Sequence, residues 1–410
     1  MRLPAGRQAA RTKKYLKENI IMRKSKRLEL IPPYLFVKIE EKKEALIKQG
    51  IDIIDFGIGD PDLPTPAPIF KKMHTVLELS ESGNYPTSKG ELPFRQAVAD
   101  WYKKRFNVKL DPSSEVCTLI GSKEGLAHLF FAFIDPGDIA LVPDPAYPVY
   151  KIGTLLAGGK PYLLPLTAEN RFIPDLNSIP KNILKKAKLL FINYPNNPTG
   201  AVAGLDFFKG CVSFAKKNDL LLVSDLAYSE MTYDGLKAHS VLEVPGAKDV
   251  TIEFHSLSKT YNMTGWRIGM AVGSAEAVQA LATIKSNVDS GAFKAIQSAA
   301  AAALSGSQKS VRENNKMFEE RRNVLIDGLN SLGWKMQKPK ATFYMWVPVP
   351  KGESSASFTN ILLEKCGILV VPGSGYGTFG EGYIRMAITL PKERIQAAIK
   401  RMKKEQITFS

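Results

Sequence analysis

The feature that most restricts the fold is an alternation running from Val116 to Val272. Short apolar runs at Val116–Ile120, Ile139–Val142, Leu189–Asn193, Leu220–Ser224, Thr251–Phe254 and Ile268–Val272 are separated by stretches of helical period such as Gly125–Phe133 and Leu205–Asn218. Continuous apolar runs suit strands buried on both faces, and strands joined through helices predict βαβ units with a mostly parallel, doubly covered sheet. Ligands in such α/β sheets sit beyond the carboxyl ends of the strands.

The flanking segments read differently. Val37–Gln49 predicts a charged helix stopped at Gly50, and Ile51–Asp62 a short strand entering a glycine turn where bare backbone can approach a ligand or simply turn. Asn84–Glu91 reads as a loop before a helix with apolar positions at Leu92, Val98, Trp101 and Tyr102. From about Glu276 to Asn330 the chain predicts long helices rich in alanine, followed by strand-like segments within Gly333–Val349 and Ile368–Leu390. This is a second region of α+β character, with a boundary expected near 290 inside a long helix.

Charge matters for what the chain can bind. The formal net charge is +16, but residues 1–27 hold ten Lys or Arg against the single acid Glu18, which leaves +7 for the other 383 residues. A modestly basic body suits carboxylate and phosphate ligands as well as it suits a polymer, so nucleic acid is not the expected partner. The extension lacks the apolar core of a signal peptide and has Ser25 as its only serine; it reads either as a disordered tail or as sequence ahead of a start at Met22. No apolar run reaches the ~18 residues a membrane span needs. Cys117, Cys211 and Cys366 are odd in number and far apart, which speaks against disulfides and metal clusters and for a reducing, cytoplasmic setting.

Candidate chemistry gathers where strand-like runs end. Phe254–Gly269 carries Ser256, Ser258, Lys259 and Arg267, with Gly265 and Gly269 preventing one uninterrupted helix. A lysine amine can attack a carbonyl, while serine hydroxyls and a guanidinium can hold phosphate. Alone, Lys259 reads equally as a solvated surface lysine. Gly121-Ser122-Lys123 opens a helix whose unpaired N–H groups favour phosphate, although Ser122 also suits an ordinary cap. Tyr147, between prolines, suits stacking on a planar ring or packing in a turn. Asn193–Gly200 stops a strand and offers an asparagine amide to a phenolate-type oxygen. Val223–Tyr228 ends a hydrophobic strand on Asp225, a carboxylate that needs a partner if buried, such as a protonated pyridine nitrogen or a cap. Arg385, alone in the apolar run Tyr383–Ile388, needs an internal acid or a substrate carboxylate. The four histidines show no metal-ligand spacing.

Taken in order, Asn-Asn-Pro-Thr-Gly, Ser-Asp-Leu-Ala-Tyr, Ser-Leu-Ser-Lys with Arg eight residues on, and the late Arg385 resemble the fold type I pyridoxal-phosphate aminotransferases of the aspartate aminotransferase superfamily, from about Leu30 to Arg401. Gly57–Asp62, Gly121–Gly125, Ser258–Arg267 and Lys285–Gly291 look most like the LL-diaminopimelate aminotransferases; enzymes acting on aspartate, alanine or aromatic amino acids share most of these residues. The resemblance implies a large domain with a mostly parallel seven-stranded sheet between helices and a smaller α+β domain: 1–27 a basic extension, 28–55 a segment packing on the small domain, 56–290 the large domain, 291–410 the small one. It implies Lys259 as Schiff-base lysine, Asp225 as partner of the pyridine nitrogen, Asn197 and Tyr228 on the ring hydroxyl, and Tyr147 stacked on the ring. Ser122, Lys123, Ser256, Ser258 and Arg267 would hold the cofactor, with Tyr85 reaching it from the other subunit of a homodimer. Arg385 would grip the substrate carboxylate near Gly59, with Tyr85, Lys123, Tyr147 and Asn197 around the substrate. Plant-like members carry a glutamate near Ser88 and an asparagine near Lys294, so distal recognition in this chain departs from that pattern.

Overall fold

In the computed structural model, residues 24–31 and 35–409 are described; most of the basic extension, residues 1–23, lies outside them. The strands are β1 Ile54–Asp55, β2 Val116–Leu119, β3 Ile139–Asp144, β4 Lys160–Pro165, β5 Ala187–Asn193, β6 Leu221–Asp225, β7 Thr251–Ser256, β8 Gly269–Gly273, β9 Tyr344–Pro348, β10 Ile368–Leu369, β11 Val371–Pro372 and β12 Tyr383–Ala387. Among the described residues, seven form one sheet in the order β2-β8-β7-β6-β5-β3-β4. All neighbours run parallel except β8, which is antiparallel to both β7 and β2.

Strand alternation explains the two covered faces. Leu141, Leu190 and Ile192 point into a core shared with the helices Leu92–Phe106, Leu205–Lys217 and Lys294–Ser305. Their neighbours Ala140, Val142, Leu189 and Phe191 point the other way, against Ser122–Phe133, Val149–Leu156 and Ala275–Val288. The expected strands all form. β4 was not anticipated, because Pro161 and Pro165 argue against a strand. It pairs only with β3, on the sheet's edge, where a missing N–H costs little.

The C-terminal part has its own core around β9, β11 and β12, an antiparallel sheet in the order β11-β12-β9. The segment before residue 56 joins it: β1 pairs with β10, and Asp52 receives Arg394 and Arg401. The expected division at 290 does not match the packing. Ala292, Ala299, Ala300, Ala303 and Val311 belong to the core of the large sheet, whereas Phe318, Leu325 and Leu329 belong to the second core. One long helix, Lys309–Ser331, therefore passes from one core to the other. The alanine run is small because its helix packs closely on Ala67–Leu77 and Leu92–Phe106, and small apolar residues carry no signal of which core receives them. No helix of the described residues is long and apolar enough to cross a membrane.

Candidate active site

β7 and β8 are neighbours in sequence and pair antiparallel, Ser256 opposite Gly269. The intervening residues 257–268 therefore cannot cross the sheet and stand up from its carboxyl edge. They fold into a single helical turn, Leu257–Thr260, and a tighter one, Thr264–Trp266. Ser256 caps the first turn, accepting from the N–H of Ser258 at 3.1 Å. Arg267 has φ +53, a left-handed conformation that turns the chain back into β8 while its Nη1 donates to Thr264 O at 2.8 Å.

Around this turn lies a cavity of about 410 Å³ walled by Gly57–Gly59, Ser122, Lys123, Tyr147, Asn193, Asn197, Asp225, Tyr228, Ser256, Ser258, Lys259, Thr264, Arg267, Tyr344, Tyr376 and Arg385. One side is a cradle of hydroxyls and cations: Ser122, Ser256, Ser258, Thr264 and Arg267. The turn before the helix Ser122–Phe133 fits against it tightly. Gly121 has φ +78, and a Cβ there would lie 2.3 Å from Arg267 Nη2; one on Gly269 would lie 3.0 Å from Ser122 N. Only glycine lets the helix N-terminus, with its unpaired N–H groups, come this close to the guanidinium. Anion binding is what such a convergence can do.

On the floor, Lys259 Nζ donates to Gly59 O at 2.7 Å and stands 5.5 Å over the Phe343 ring. Burial pushes its amine down to about 8, helped by the Arg385 and Arg267 charges and opposed by Asp60. The amine therefore loses its proton more readily than an ordinary lysine, which favours attack on a carbonyl.

Asp225 ends β6 and is buried. Burial pushes its carboxyl up to about 6, against the opposing hydrogen bonds of Tyr150 Oη, 2.6 Å from Oδ2, and the Ala227 N–H, 3.3 Å from Oδ1. The adjacent strand carries a control, Glu253, also fully buried and pushed up by burial to about 7. Glu253 accepts from Tyr102 Oη, Ser224 Oγ, Ser240 Oγ and Val241 N, a complete shell inside the core. Asp225 has a thinner shell, faces the cavity, and no cation among the described residues pairs with it. A cationic ring nitrogen is the partner its position suits.

Opposite stands Arg385, only 4% exposed, on β12. It makes no ion pair among the described residues. Its Nη2 donates to Gly57 O at 2.7 Å and its Nη1 to Asn197 Oδ1 at 3.2 Å; the guanidinium lies 4.1 Å over Tyr344 and 5.0 Å over Tyr376. Its Nε, also buried, lacks a hydrogen-bond partner. A buried cation held by neutral acceptors and ring faces is arranged for an incoming anion. Tyr228 Oη lies 3.2 Å from Tyr344 Oη, and burial holds its phenol well above the usual range.

Lys123 joins this wall, its Nζ 5.8 Å over the Tyr147 ring. Tyr85, Ser88 and Lys294 do not. Tyr85 is 85% exposed, and Lys294 lines a separate cavity of about 180 Å³ with Glu91, Gln297 and Ser298. Within one chain these three are not brought to the site. Conversely, Asn193, Tyr344 and Tyr376 form its walls without having been singled out, and Tyr150 stands behind the wall, donating to Asp225. Tyr150 follows Tyr147 by three residues in the same proline-flanked segment, which could have pointed to it. Tyr344 lies in an ordinary apolar strand, with no signal at all.

A hydroxyl and guanidinium cradle, an amine poised for a carbonyl, a buried acid awaiting a cation and a buried cation awaiting an acid define a site for a phosphate-bearing carbonyl cofactor and a carboxylate substrate. Residues 51–402 match aminotransferase class I and II, and the chain belongs to that family. It is a pyridoxal-phosphate-dependent aminotransferase of fold type I, and the residues described fit that cofactor. The chain is 57% identical over 383 residues to the LL-diaminopimelate aminotransferase of Moorella thermoacetica, covering 93% of this chain and 98% of that one. It is 54% identical over 390 residues to LL-diaminopimelate aminotransferase 2 of Trichormus variabilis, covering 95% and 100%. Among solved structures it is similar to substrate-bound BacF of Bacillus subtilis, with TM-score 0.91 and 36% identity over 95% of this chain and 99% of that one.

Proposed function

We propose that this chain moves an amino group between LL-2,6-diaminopimelate and 2-oxoglutarate, in the direction that makes LL-diaminopimelate from tetrahydrodipicolinate for lysine biosynthesis. The observation that supports the reaction type is the pairing of Lys259 Nζ and the acid-free guanidinium of Arg385 across one cavity. The high identity to diaminopimelate aminotransferases over nearly the whole length supports the substrate.

In this reading Ser122, Ser256, Ser258, Arg267 and the N–H groups opening the helix Ser122–Phe133 hold the cofactor phosphate. Asp225, oriented by Tyr150, holds the ring nitrogen protonated; Asn197 and Tyr228 contact the ring hydroxyl, and Tyr147 covers the ring face. When bound, pyridoxal phosphate supplies an electrophilic carbonyl and an electron-withdrawing ring that lowers the cost of removing the proton at substrate Cα. Arg385 binds the α-carboxylate in a fork, which fixes the Cα–H bond relative to Lys259. The amine of Lys259 then takes that proton and returns it to the cofactor side, acting as base and acid in turn. Lys123, at the mouth beside Tyr147, faces the distal end of a long substrate. Tyr85 completes the phosphate site from the second subunit of a homodimer, which accounts for a tyrosine almost fully exposed on one chain. Three buried, unpaired cysteines among the described residues suit a reducing, cytoplasmic setting.

The test is a single half-reaction followed by absorbance. Protein loaded with pyridoxal phosphate is mixed in turn with LL-diaminopimelate, glutamate, aspartate, alanine and phenylalanine. LL-diaminopimelate and glutamate should bleach the visible band of the lysine-bound cofactor, and Lys259→Ala should abolish the response. Bleaching by aspartate or phenylalanine but not LL-diaminopimelate would overturn the substrate; turnover by Lys259→Ala would overturn the mechanism.

A further inference from the structure

The run Lys285-Ser-Asn-Val-Asp-Ser-Gly291 touches no wall of the cavity, yet it begins with the only fully buried lysine among the described residues. Lys285 Nζ donates at 3.0 Å to Glu124 Oε1 and at 3.0 Å to Asp289 Oδ2. Glu124 belongs to the turn Gly121–Gly125, so two motifs some 160 residues apart meet on one ammonium. Burial would drive the amine towards neutrality, but Glu124 and Asp289 outweigh it and keep it charged. Glu124, His128 and Asp289 have the grouping of metal ligands. The ammonium already occupies the place of a cation between the two carboxylates, and no metal is called for.

Each carboxylate has a second contact that carries the geometry onward. Glu124 Oε2 accepts from the Ile120 N–H at 2.8 Å, so this side chain brackets Gly121-Ser122-Lys123 from behind. Asp289 Oδ1 accepts from the Gly291 N–H at 2.7 Å. Gly291 has φ +85 and packs so closely on the rim loop that a Cβ would lie 2.9 Å from Thr87 O and 3.7 Å from Ser88 Cα. One arm of the triad thus ends on the phosphate-facing turn, and the other on the loop that carries Tyr85 and Ser88.

We propose that Lys285 is a positioning residue which locks the phosphate-binding turn Gly121–Lys123 and the rim loop 85–88 in a common register, so that cofactor affinity and rim geometry depend on the one ion triad centred on its buried ammonium. The proposal rests on the reading of that turn as a phosphate cup. The ammonium is fully buried and its two carboxylates partly so, and ion pairs out of water are a poor device for stability alone, since apolar side chains of similar size often do as well or better. Its use here is the fixed direction of its contacts: an ammonium shared by two carboxylates admits little freedom in either backbone.

Two variants separate positioning from mere charge balance. Lys285→Met leaves the part-buried Glu124 and Asp289 without their ammonium, with His128 Nδ1 beside them at 2.7 and 3.8 Å, and should lower the thermal midpoint. Lys285→Met combined with Glu124→Gln and Asp289→Asn removes those charges and should restore the midpoint. In the triple variant, titration of the apoprotein with pyridoxal phosphate should still give a dissociation constant raised about tenfold, and hydrogen exchange should stay faster at 84–91 and 120–124. If the triple variant recovers wild-type affinity and exchange along with its midpoint, or if Lys285→Met changes none of these readouts, the proposal is overturned. Wild-type apoprotein that does not bind pyridoxal phosphate would instead defeat the phosphate-cup reading, and the exchange measurement would still decide whether Lys285 couples the two segments.

Discussion

The floor of the cavity and its rim are built on opposite terms. On the floor, Asp225 ends a strand, Asn197 follows just past one, Lys259 stands in the turn between paired strands and Arg385 sits in the middle of β12, and each has a named hydrogen-bond partner within the same chain. At the rim, Tyr85 is almost wholly exposed, Ser88 is half-buried on a loop, and Lys294 faces a different cavity. The floor is preorganised before any ligand arrives, so it can define a reaction; the rim is unfinished within one chain, so it leaves room to define a substrate. Chemistry common to a whole family and selectivity particular to one member are thereby stored in different places.

The largest effect should come from breaking the floor at its buried, unpaired acid. Asp225→Asn keeps shape and Tyr150 contact but removes the charge that would hold a ring nitrogen protonated. Turnover should fall about 10³-fold, with pyridoxal phosphate still bound, as single-turnover absorbance would show; near wild-type rates would sink the assignment of Asp225. Arg385→Lys comes next. A lysine keeps the charge but cannot form the fork or lie flat over Tyr344 and Tyr376, so kcat/KM should drop about 10²-fold, while pyridoxal phosphate affinity stays unchanged. Equal losses in both would mean Arg385 serves the cofactor rather than the substrate.

Acidity offers a smaller, graded test of the floor. Because the Lys259 amine is lowered from 10.5 to about 8, its capture of pyridoxal phosphate by the apoprotein should rise about tenfold per pH unit below 8 and level off above it. The sign for stability follows from the same shift. Between about 8 and 10.5 the unfolded chain holds a proton that the folded apoprotein has lost, so this residue's contribution to stability rises with pH across that window. Lys259→Met should abolish both trends. A capture profile that climbs instead towards 10.5 would show that Lys259 is hydrated.

How much of this was legible in the sequence follows the same division. The alternation of apolar runs and helices was enough for the parallel sheet, because burial on both faces leaves an uninterrupted apolar signal. It was not enough for β4, where proline is tolerated only because the strand lies at an edge. Asp225, Lys259 and Arg385 stand out because a charge inside or beside an apolar run contradicts its surroundings. Tyr150 and Tyr344 do not contradict theirs, and only the fold shows that one orients Asp225 and the other underlies Arg385. Lys285 was hidden for a third reason: its helix is mixed enough that a lysine on it reads as solvated, and both its acids are contributed by turns distant in sequence or at the helix end. The basic extension gave the largest compositional signal and lies mostly outside the described residues.

The smallest signal, and the one that bears most directly on the rim, comes from mixing subunits. If Tyr85 serves the neighbouring site, a dimer pairing a Lys259→Ala chain with a Tyr85→Ala chain contains one site carrying both lesions and one carrying neither. Random reassociation of equal amounts makes half of all dimers hybrids, each with one intact site, so activity should return to about a quarter of wild type. If Tyr85 acts within its own chain, every site in every hybrid carries one lesion and mixing restores nothing. Recovery requires contact between copies that brings the loop 85–88 of one chain to the cavity of the other, and exposed Leu79, Leu92 and Phe293 are apolar side chains such a contact could cover. The same mixture assayed with a short amino acid and with a long, two-ended one sharpens the result. Adding Ser88→Ala to the Lys259→Ala chain should lower the recovered rate a few-fold for the long substrate alone, because a short one ends before it reaches the rim.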